Sequence, residues 1–437
     1  MTHEKRLQRR HRIADALRKT PPAALASPDS YPQVEVGVML RAIGIALLEV
    51  YQPAPIVESR LLRIAERYTS QPVRAVVLPT ILMIQIGDKT VEIDGSTRSS
   101  LQLDAAGRID DIATLAEGGA ITPADATAAI AAARTLPPRF GPATTIIGYA
   151  VTTLGFGIMI NPTWASLPGY FFLGLVVGAI VQFATPFPSL TPILPTLSAF
   201  VVTLLAIWFV ADTANDGLLR VISPALVATL PGMALTTGAM ELASSQIISG
   251  ASRLVYGITQ LALLVFGVVA GTVIAGDLAP QAPSAQMGGW ALYVSIVVVG
   301  IGLSIYLSAP PRSLLWLMAA IAAAILGQKF AESFMSPAHS GFVGAILSVL
   351  FAMLASRIKT SPPAVVLLLV AFWSLVPGAL SFMSVSQAAT GGNADVSSMS
   401  TAGAAILSIA LGTLVGWSIF WTIDSRLPWS KIMASPQ

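Results

Sequence analysis

Two proline–glycine pairs in strongly apolar segments are the residues best suited to form a binding site. Pro231 and Gly232 lie 146 residues before Pro377 and Gly378. A proline removes a backbone N–H and clashes with the carbonyl four residues earlier, while glycine adds conformational freedom. In hydrocarbon, a freed carbonyl needs protein, water or a ligand as its partner. The pairs therefore either are packing kinks or line a site in which half-helix N-termini bind a carboxylate.

Polar residues accompany both pairs. Thr236 and Thr237 follow the first pair by about one helical turn, and Glu241 follows them; Ser381 follows the second pair. An ionisable residue at membrane depth costs about 2.5–3.5 kcal/mol or more and is a functional candidate. Glu241 is predicted either to bind an ammonium group and exchange a proton, or to face water at a helix end.

Three further charges in the apolar part of the chain are candidates for gating or for structural roles. They are Arg253, Lys329 and Glu332. Lys329 and Glu332 are one helical turn apart, a spacing that favours a local ion pair. The structural role is therefore the preferred interpretation for these two residues.

The residue types exclude several kinds of catalytic and metal site. The chain has no cysteine, and none of its three histidines has a second one at metal-binding spacing. The segment Gly87-Asp88-Lys89-Thr90 lacks the upstream glycine of a phosphate-binding loop and predicts a turn between strands. We therefore expect no catalytic site, metal or cofactor. The net charge of +3 is also too small to indicate nucleic-acid binding.

Charge is distributed unevenly along the 437 residues. Residues 1–140 hold 17 Lys/Arg and 15 Asp/Glu, whereas the remaining 297 hold 8 and 7. The first stretch is as charged as a soluble domain, and the second carries too little charge to cover a water-facing surface. Overall, 54% of the residues are hydrophobic and mean hydropathy is +0.74. The sequence predicts a small soluble domain followed by a large membrane domain.

The soluble part is predicted to be a cytoplasmic α+β domain at 34–140, preceded by a basic tail at 1–33. The tail, with Lys5, Arg6, Arg9, Arg10 and Arg12, is expected to be disordered and either solvated or in contact with anionic lipid headgroups. Helical periodicity marks 34–68 with a break at 52–55, and alternating β-branched residues mark 74–86 and 89–94. Thr122 and Pro123 indicate the start of a helix that reaches Arg134.

The membrane part contains ten apolar segments near the length of about 20 residues that a spanning helix needs. The predicted spans are Ala143–Ile160, Pro168–Ala184, Pro192–Ala211, Val221–Met240, Leu254–Gly276, Gly289–Ser308, Leu314–Phe330, Ser340–Ser356, Pro363–Ser384 and Ser400–Thr422. Basic residues concentrate in cytoplasmic loops. With the N-terminal domain inside the cell, Arg253, Arg312, Arg357, Lys359, Arg426 and Lys431 fall on the cytoplasmic side. Only Arg220 and Lys329 fall outside, which places both termini in the cytoplasm.

An internal repeat relates the two halves of this membrane part. The Pro-Gly pairs differ by 146 residues, and Gly267-xxx-Gly271 precedes Gly412-xxx-Gly416 by 145. The spans fall into a first repeat at 141–280 and a second at 289–425. Because five spans is an odd number, the second half must enter the membrane from the opposite side. Inverted repeats of this kind are typical of secondary transporters, which bind substrate between the halves.

One motif resembles a known family. The run from Leu230 to Leu242, followed by Ser249-Gly250 and Arg253-Leu254, is similar to the signature of the bacterial threonine/serine exporter family. Pro362-Pro363 and the segment from Leu375 to Gly378 resemble that family's second-half module. The motif residues carried over by position are Pro231, Gly232, Thr236, Glu241, Gly250 and Arg253.

The resemblance implies a multi-pass carrier of the bacterial plasma membrane that exports threonine and serine at the expense of the proton gradient. Its partners are then a small amino acid, protons and membrane lipids, and a homo-oligomer stays open. Related two-component members are associated with dicarboxylate export, so a succinate-like substrate is a second hypothesis. The sequence also leaves open a channel, or a membrane-embedded enzyme that acts through the N-terminal domain.

Overall fold

The computed structural model describes residues 19, 22–88, 90–95, 101–184, 186–210, 217–276, 285–375, 377–389 and 396–426. The predicted basic tail at 5–12 and Lys431 lie outside these residues. The chain divides into two compact units. The first comprises Met1–Pro137, Pro310–Trp316 and Val349–Leu368, and the second comprises Pro138–Ala309, Leu317–Ser348 and Leu369–Gln437.

The first unit contains helices and one small sheet. The elements are α1 (Gln33–Glu49), α2 (Ala54–Tyr68), β1 (Val73–Val77), β2 (Ile81–Ile86), β3 (Thr90–Gly95), α3 (Leu103–Glu117) and α4 (Pro123–Arg134). The strands form an antiparallel sheet in the order β1-β2-β3. Gly87 supplies the turn between β2 and β3 with φ of 57°, as the Gly-Asp pair predicts. The Thr122 side chain caps α4 by accepting a hydrogen bond from Asp125 N, which confirms the predicted start of that helix.

Helix α1 is the centre of this unit. Its fully buried side chains are Met39, Leu40, Ile43 and Leu47. Leu82 of β2 occupies the space that a side chain at Gly44 would need. Burial of apolar surface is the main source of stability for such an element.

Helix α3 was not predicted from the sequence. Its preceding residue, Gln102, makes no side-chain capping bond, so the usual signal for a helix start is missing. Long-range contacts supply the stability instead. Arg60 of α2 forms ion pairs with Asp110 and Glu117, which lie 50 and 57 residues later in the chain.

The second half of the chain is helical. Its elements are α5 (Pro142–Ile160), α6 (Leu167–Ala184), α7 (Leu194–Phe209), α8 (Leu218–Leu226), α9 (Gly232–Ala243), α10 (Ile247–Ala275), α11 (Ala291–Tyr306), α12 (Leu314–Ala331), α13 (Pro337–Ala355), α14 (Ala364–Ser374), α15 (Pro377–Ala389) and α16 (Val396–Arg426). Short 3-10 turns lie at Pro188–Leu190 and Val227–Thr229. Every predicted span corresponds to a helix or to a pair of helices.

Six of these helices are long and apolar enough to cross a membrane: α5, α6, α10, α12, α13 and α16. The α8–α9 pair, Leu218–Thr229 with Gly232–Ala243, passes the same test as one span bent by 67°. Helices α7, α11 and α14 are apolar but shorter, with 16, 16 and 11 residues. The chain is therefore a multi-pass membrane protein. Among the described helices, length and composition therefore support six or seven of the ten predicted spans.

Glycines bring α5 and α11 into close contact. A Cβ at Gly148 would lie 2.6 Å from Ile305, and one at Gly155 would lie 2.7 Å from Val299. Gly302 of α11 meets the backbone of Thr152 in the same way. Because later residues of α5 meet earlier residues of α11, the two helices are antiparallel.

Two other helix pairs make matching contacts. Gly267 of α10 packs against the backbone of Thr196 in α7, and Gly412 of α16 packs against the backbone of Phe342 in α13. The hydroxyls of Thr203 and Ser348 each donate to the carbonyl four residues earlier, at Ala199 and Gly344. Gly267 and Gly412, the first glycines of the two Gly-xxx-Gly segments, thus serve helix packing, as expected of small residues in membrane helices.

Candidate functional site

The first Pro-Gly pair separates two helices rather than kinking one. Helix α8 passes into the turn Val227–Thr229, and Leu230 is extended with ψ of 131°, as the residue before a proline prefers. Pro231 then precedes α9, and Gly232 is its first residue. The sharp bend arises because proline cannot continue the helical hydrogen-bond ladder.

The second Pro-Gly pair occupies a similar position. Helix α14 ends at Ser374, and α15 begins with Pro377 and Gly378. Val376, at the break itself, lies outside the described residues. Proline is well tolerated at the first position of a helix, where its missing N–H has no intrahelical role. Both pairs therefore end one helix and begin another.

The two interrupted segments pack against one another. Phe382 of α15 is fully buried in one apolar cluster with Ile222 and Leu226 of α8 and Leu235 of α9. Ser381, next to Phe382, is 3% exposed. The tertiary fold thus brings α15 into contact with α8 and α9.

Glu241 and Arg253 form a buried ion pair between α9 and α10. Arg253 Nε donates to both carboxylate oxygens of Glu241, at 3.1 Å to Oε1 and 3.0 Å to Oε2. The side chains are 0% and 7% exposed. Glu241 therefore does not face water at a helix end, which was one of the two interpretations of the sequence. Breaking a buried ion pair by removing one partner typically costs about 3–5 kcal/mol.

A tight turn and two glycines position this pair. The turn between α9 and α10 has Ser245 at φ of 64°, and Gln246 N donates to Glu241 O at 2.8 Å. A Cβ at Gly250 would lie 2.7 Å from Gly238 O. The helices thus cross backbone to backbone near the ion pair.

Thr236 and Thr237 lie on α9 between the break and Glu241, and each is 5% exposed. Within the described part of the chain, Thr236 Oγ1 is buried and has no hydrogen-bond partner. A buried hydroxyl without a partner is destabilising, so this position calls for an explanation beyond packing.

The family comparison decides the class of protein. The ThrE model, described as "Putative threonine/serine exporter", matches residues 38–275, more than half of the chain. The chain belongs to the ThrE family. No curated protein and no solved structure matches it. The ThrE match includes the first break, Glu241 and Arg253, and it ends before the second Pro-Gly pair.

Lys329 and Glu332 lie apart from the ThrE motif. Lys329 Nζ is 2.9 Å from Glu332 Oε2, and the two side chains are 65% and 29% exposed. The local pair predicted from their spacing is confirmed. Exposed pairs of this kind contribute little to stability, about 0–1 kcal/mol.

Three aromatic residues of this ThrE protein were not singled out in the sequence. Tyr149 is buried, and its hydroxyl donates to Ala225 O in α8 at 2.8 Å. Its ring meets Tyr306 edge-on at 4.8 Å between centroids, and Tyr306 lies 6.4 Å from Trp373 near the end of α14. These rings therefore connect the two interrupted segments. Their apolar sequence surroundings mark them only as span residues, and no local signal indicates the contacts.

Proposed function

We propose that this ThrE protein exports threonine and serine from the cytoplasm, driven by the proton gradient, by alternating access between two inverted five-helix halves. The family match supports the substrate class and the direction of transport. The observation that carries the mechanism is the buried Glu241–Arg253 pair next to an interrupted helix. Ionisable residues at membrane depth are energetically costly, so their presence there indicates a functional site.

The order of helices supports the inverted repeat. Helices α5–α10 and α11–α16 follow the same order of three helices, an interrupted segment and one long helix, with final helices of 29 and 31 residues. The matching α7–α10 and α13–α16 contacts support the same relationship. The antiparallel α5–α11 pair fits a two-fold axis in the membrane plane. The first and second repeats would then be 141–280 and 289–425, as predicted.

The proposed substrate site lies between the two interrupted segments. The N-termini of α9 and α15, at Pro231-Gly232 and Pro377-Gly378, present partial positive charge to a substrate carboxylate. Hydroxyl groups of Thr236, Thr237 and Ser381 bind the polar groups of the amino acid. The unpartnered Thr236 Oγ1 supports this assignment.

Glu241 is the proposed proton-coupling residue. When the carboxylate takes up a proton, its attraction for the Arg253 guanidinium is lost. Loss of this ion pair lets α9 change its packing against α10, and the N-terminus of α9 forms part of the proposed substrate site. Proton binding and substrate binding then depend on one another, which is the requirement for coupled transport.

The orientation and location follow the sequence prediction. The 34–140 domain and both termini are in the cytoplasm, and the carrier lies in the bacterial inner membrane. The protein is a transporter and not an enzyme, and it needs no metal or cofactor. Arg312, Arg357 and Lys359 lie between helices on the predicted cytoplasmic side and support this topology, whereas Arg253 lies within α10.

Transport in proteoliposomes tests the proposal. With an imposed pH gradient, labelled threonine should move against its own concentration gradient. Glu241→Gln should abolish the effect of the pH gradient, whereas Glu332→Gln, a change in the exposed local pair, should leave it intact. Uphill transport that is the same in Glu241→Gln would show that Glu241 does not couple protons.

Competition in the same vesicles separates the substrate classes. Excess serine should reduce threonine flux, and excess succinate should not. Inhibition by succinate alone would indicate a dicarboxylate carrier. Flux that no gradient can drive uphill would indicate a channel.

A further inference from the structure

A small cleft in the first unit combines apolar walls with charged and polar groups. Its cavity volume is about 80 Å³, and the cleft is partly open to solvent. It lies between the end of α1, the start of α3 and the end of α4. Its lining residues are Glu49, Val50, Leu101, Gln102, Ala105, Ile109, Arg134 and Leu136. An apolar wall with a few convergent polar groups is typical of ligand sites.

The cleft contains one carboxylate and one guanidinium in direct contact. Arg134 Nε lies 2.8 Å from Glu49 Oε2, and Arg134 Nη2 lies 2.7 Å from Glu49 Oε1. Glu49 is 7% exposed, so its charge depends on Arg134 for compensation. The Arg134 side chain is 35% exposed and reaches solvent. The two charges neutralise one another, and a ligand that binds beside them has to complement both.

Gln102 provides a third polar group. Its Oε1 atom is buried and accepts no hydrogen bond among the described residues. A buried acceptor without a donor is destabilising. An N–H or O–H group of a ligand in the cleft would satisfy it.

We propose that this cleft binds a free zwitterionic α-amino acid with a small side chain. Glu49 and Gln102 Oε1 accept hydrogen bonds from the ammonium group, and Arg134 donates to the carboxylate from the edge of its guanidinium that does not contact Glu49. Val50, Ala105 and Ile109 cover the side chain. A dicarboxylate would be repelled by Glu49, and a diamine would be repelled by Arg134.

This site lies in the first unit and uses no residue of the proposed export site. It would allow the protein to sense the amino-acid concentration independently of transport. The proposal therefore stands or fails separately from the assignment of Glu241.

Hydrogen exchange of the full-length protein in detergent, read by mass spectrometry, tests it. L-Threonine should protect peptides that contain Glu49, Gln102 and Arg134. N-Acetylthreonine, which lacks the ammonium group, and threonine methyl ester, which lacks the carboxylate, should not protect them. Gln102→Met should weaken the apparent affinity by roughly tenfold, because one hydrogen bond to a charged group is lost.

Two substitutions separate binding from folding. Ala105→Phe fills the cleft and should abolish protection there, whereas Ala132→Phe, at an exposed position of α4, should not change it. Absence of threonine protection in these peptides, or equal protection by the blocked derivatives, would overturn the proposal. Protection around Glu241 is read from separate peptides, so it reports on the export site alone.

Discussion

Gly250 lies so close to Gly238 that a Cβ on Gly250 would be 2.7 Å from the Gly238 carbonyl oxygen and 2.7 Å from Leu242 N. Both atoms belong to the backbone and cannot move aside as a flexible side chain could. This contact determines how closely α9 and α10 cross. It therefore sets the distance between Glu241 and Arg253.

We predict that Gly250→Ala separates these helices and impairs transport more than it impairs folding. The cost should be about 1–3 kcal/mol, as for other overpacked sites. Gly403→Ala is the matched control, because a Cβ there would meet no atom within 4 Å. Threonine flux and thermal unfolding of both variants check the prediction. Equal flux in the two variants would show that the close crossing is not required.

A double-mutant cycle tests the interaction between Glu241 and Arg253. Glu241→Gln and Arg253→Met should each lower the free energy of unfolding by about 3–5 kcal/mol, because each breaks the buried ion pair by removing one partner. The double variant should recover much of that loss while remaining unable to couple protons. Unfolding free energies and uphill threonine flux are the measurements. Additive losses in the double variant would mean that the two residues do not interact.

Tyr149→Phe should weaken the first interrupted segment. The substitution removes the hydrogen bond to Ala225 O and leaves a buried carbonyl with one partner fewer, which costs about 1–3 kcal/mol. Tyr293→Phe is the control, since Tyr293 is 62% exposed. Thermal stability and the apparent affinity for threonine should change only in Tyr149→Phe. A shift of the same size in both variants would contradict this role.

Tyr68 should make stability sensitive to alkaline pH. Burial raises the pKa of its phenol from 10.0 to about 12, while its hydroxyl donates to Ile121 O. The pKa is higher in the folded state than in the unfolded state. The contribution of Tyr68 to the free energy of unfolding is therefore complete below pH 10 and is lost as the pH rises through about 12. In Tyr68→Phe this pH-dependent loss should disappear. Unfolding midpoints measured across this range, with absorbance of tyrosinate, provide the test.

Much of the helical architecture could be predicted because its causes are local. Apolar runs of spanning length, the breaks at Pro231 and Pro377, and the Thr122 cap each act within a few residues of chain. Helix α3 was missed because its stability depends on distant partners. Gly107 packs close to Val366 and Pro363, and Arg60 binds Asp110 and Glu117.

The same distinction between local and long-range causes applies to the candidate sites. Sequence spacing was sufficient to single out Glu241 and Arg253 and to predict the Lys329–Glu332 pair. It could not indicate that Glu241 and Arg253 contact one another, because that depends on the turn at Ser245 and on how two helices cross. Glu49 and Arg134 are 85 residues apart, and neither belongs to a motif. Only folding brings such charges together, since ion pairing depends on distance in space and not on distance along the chain.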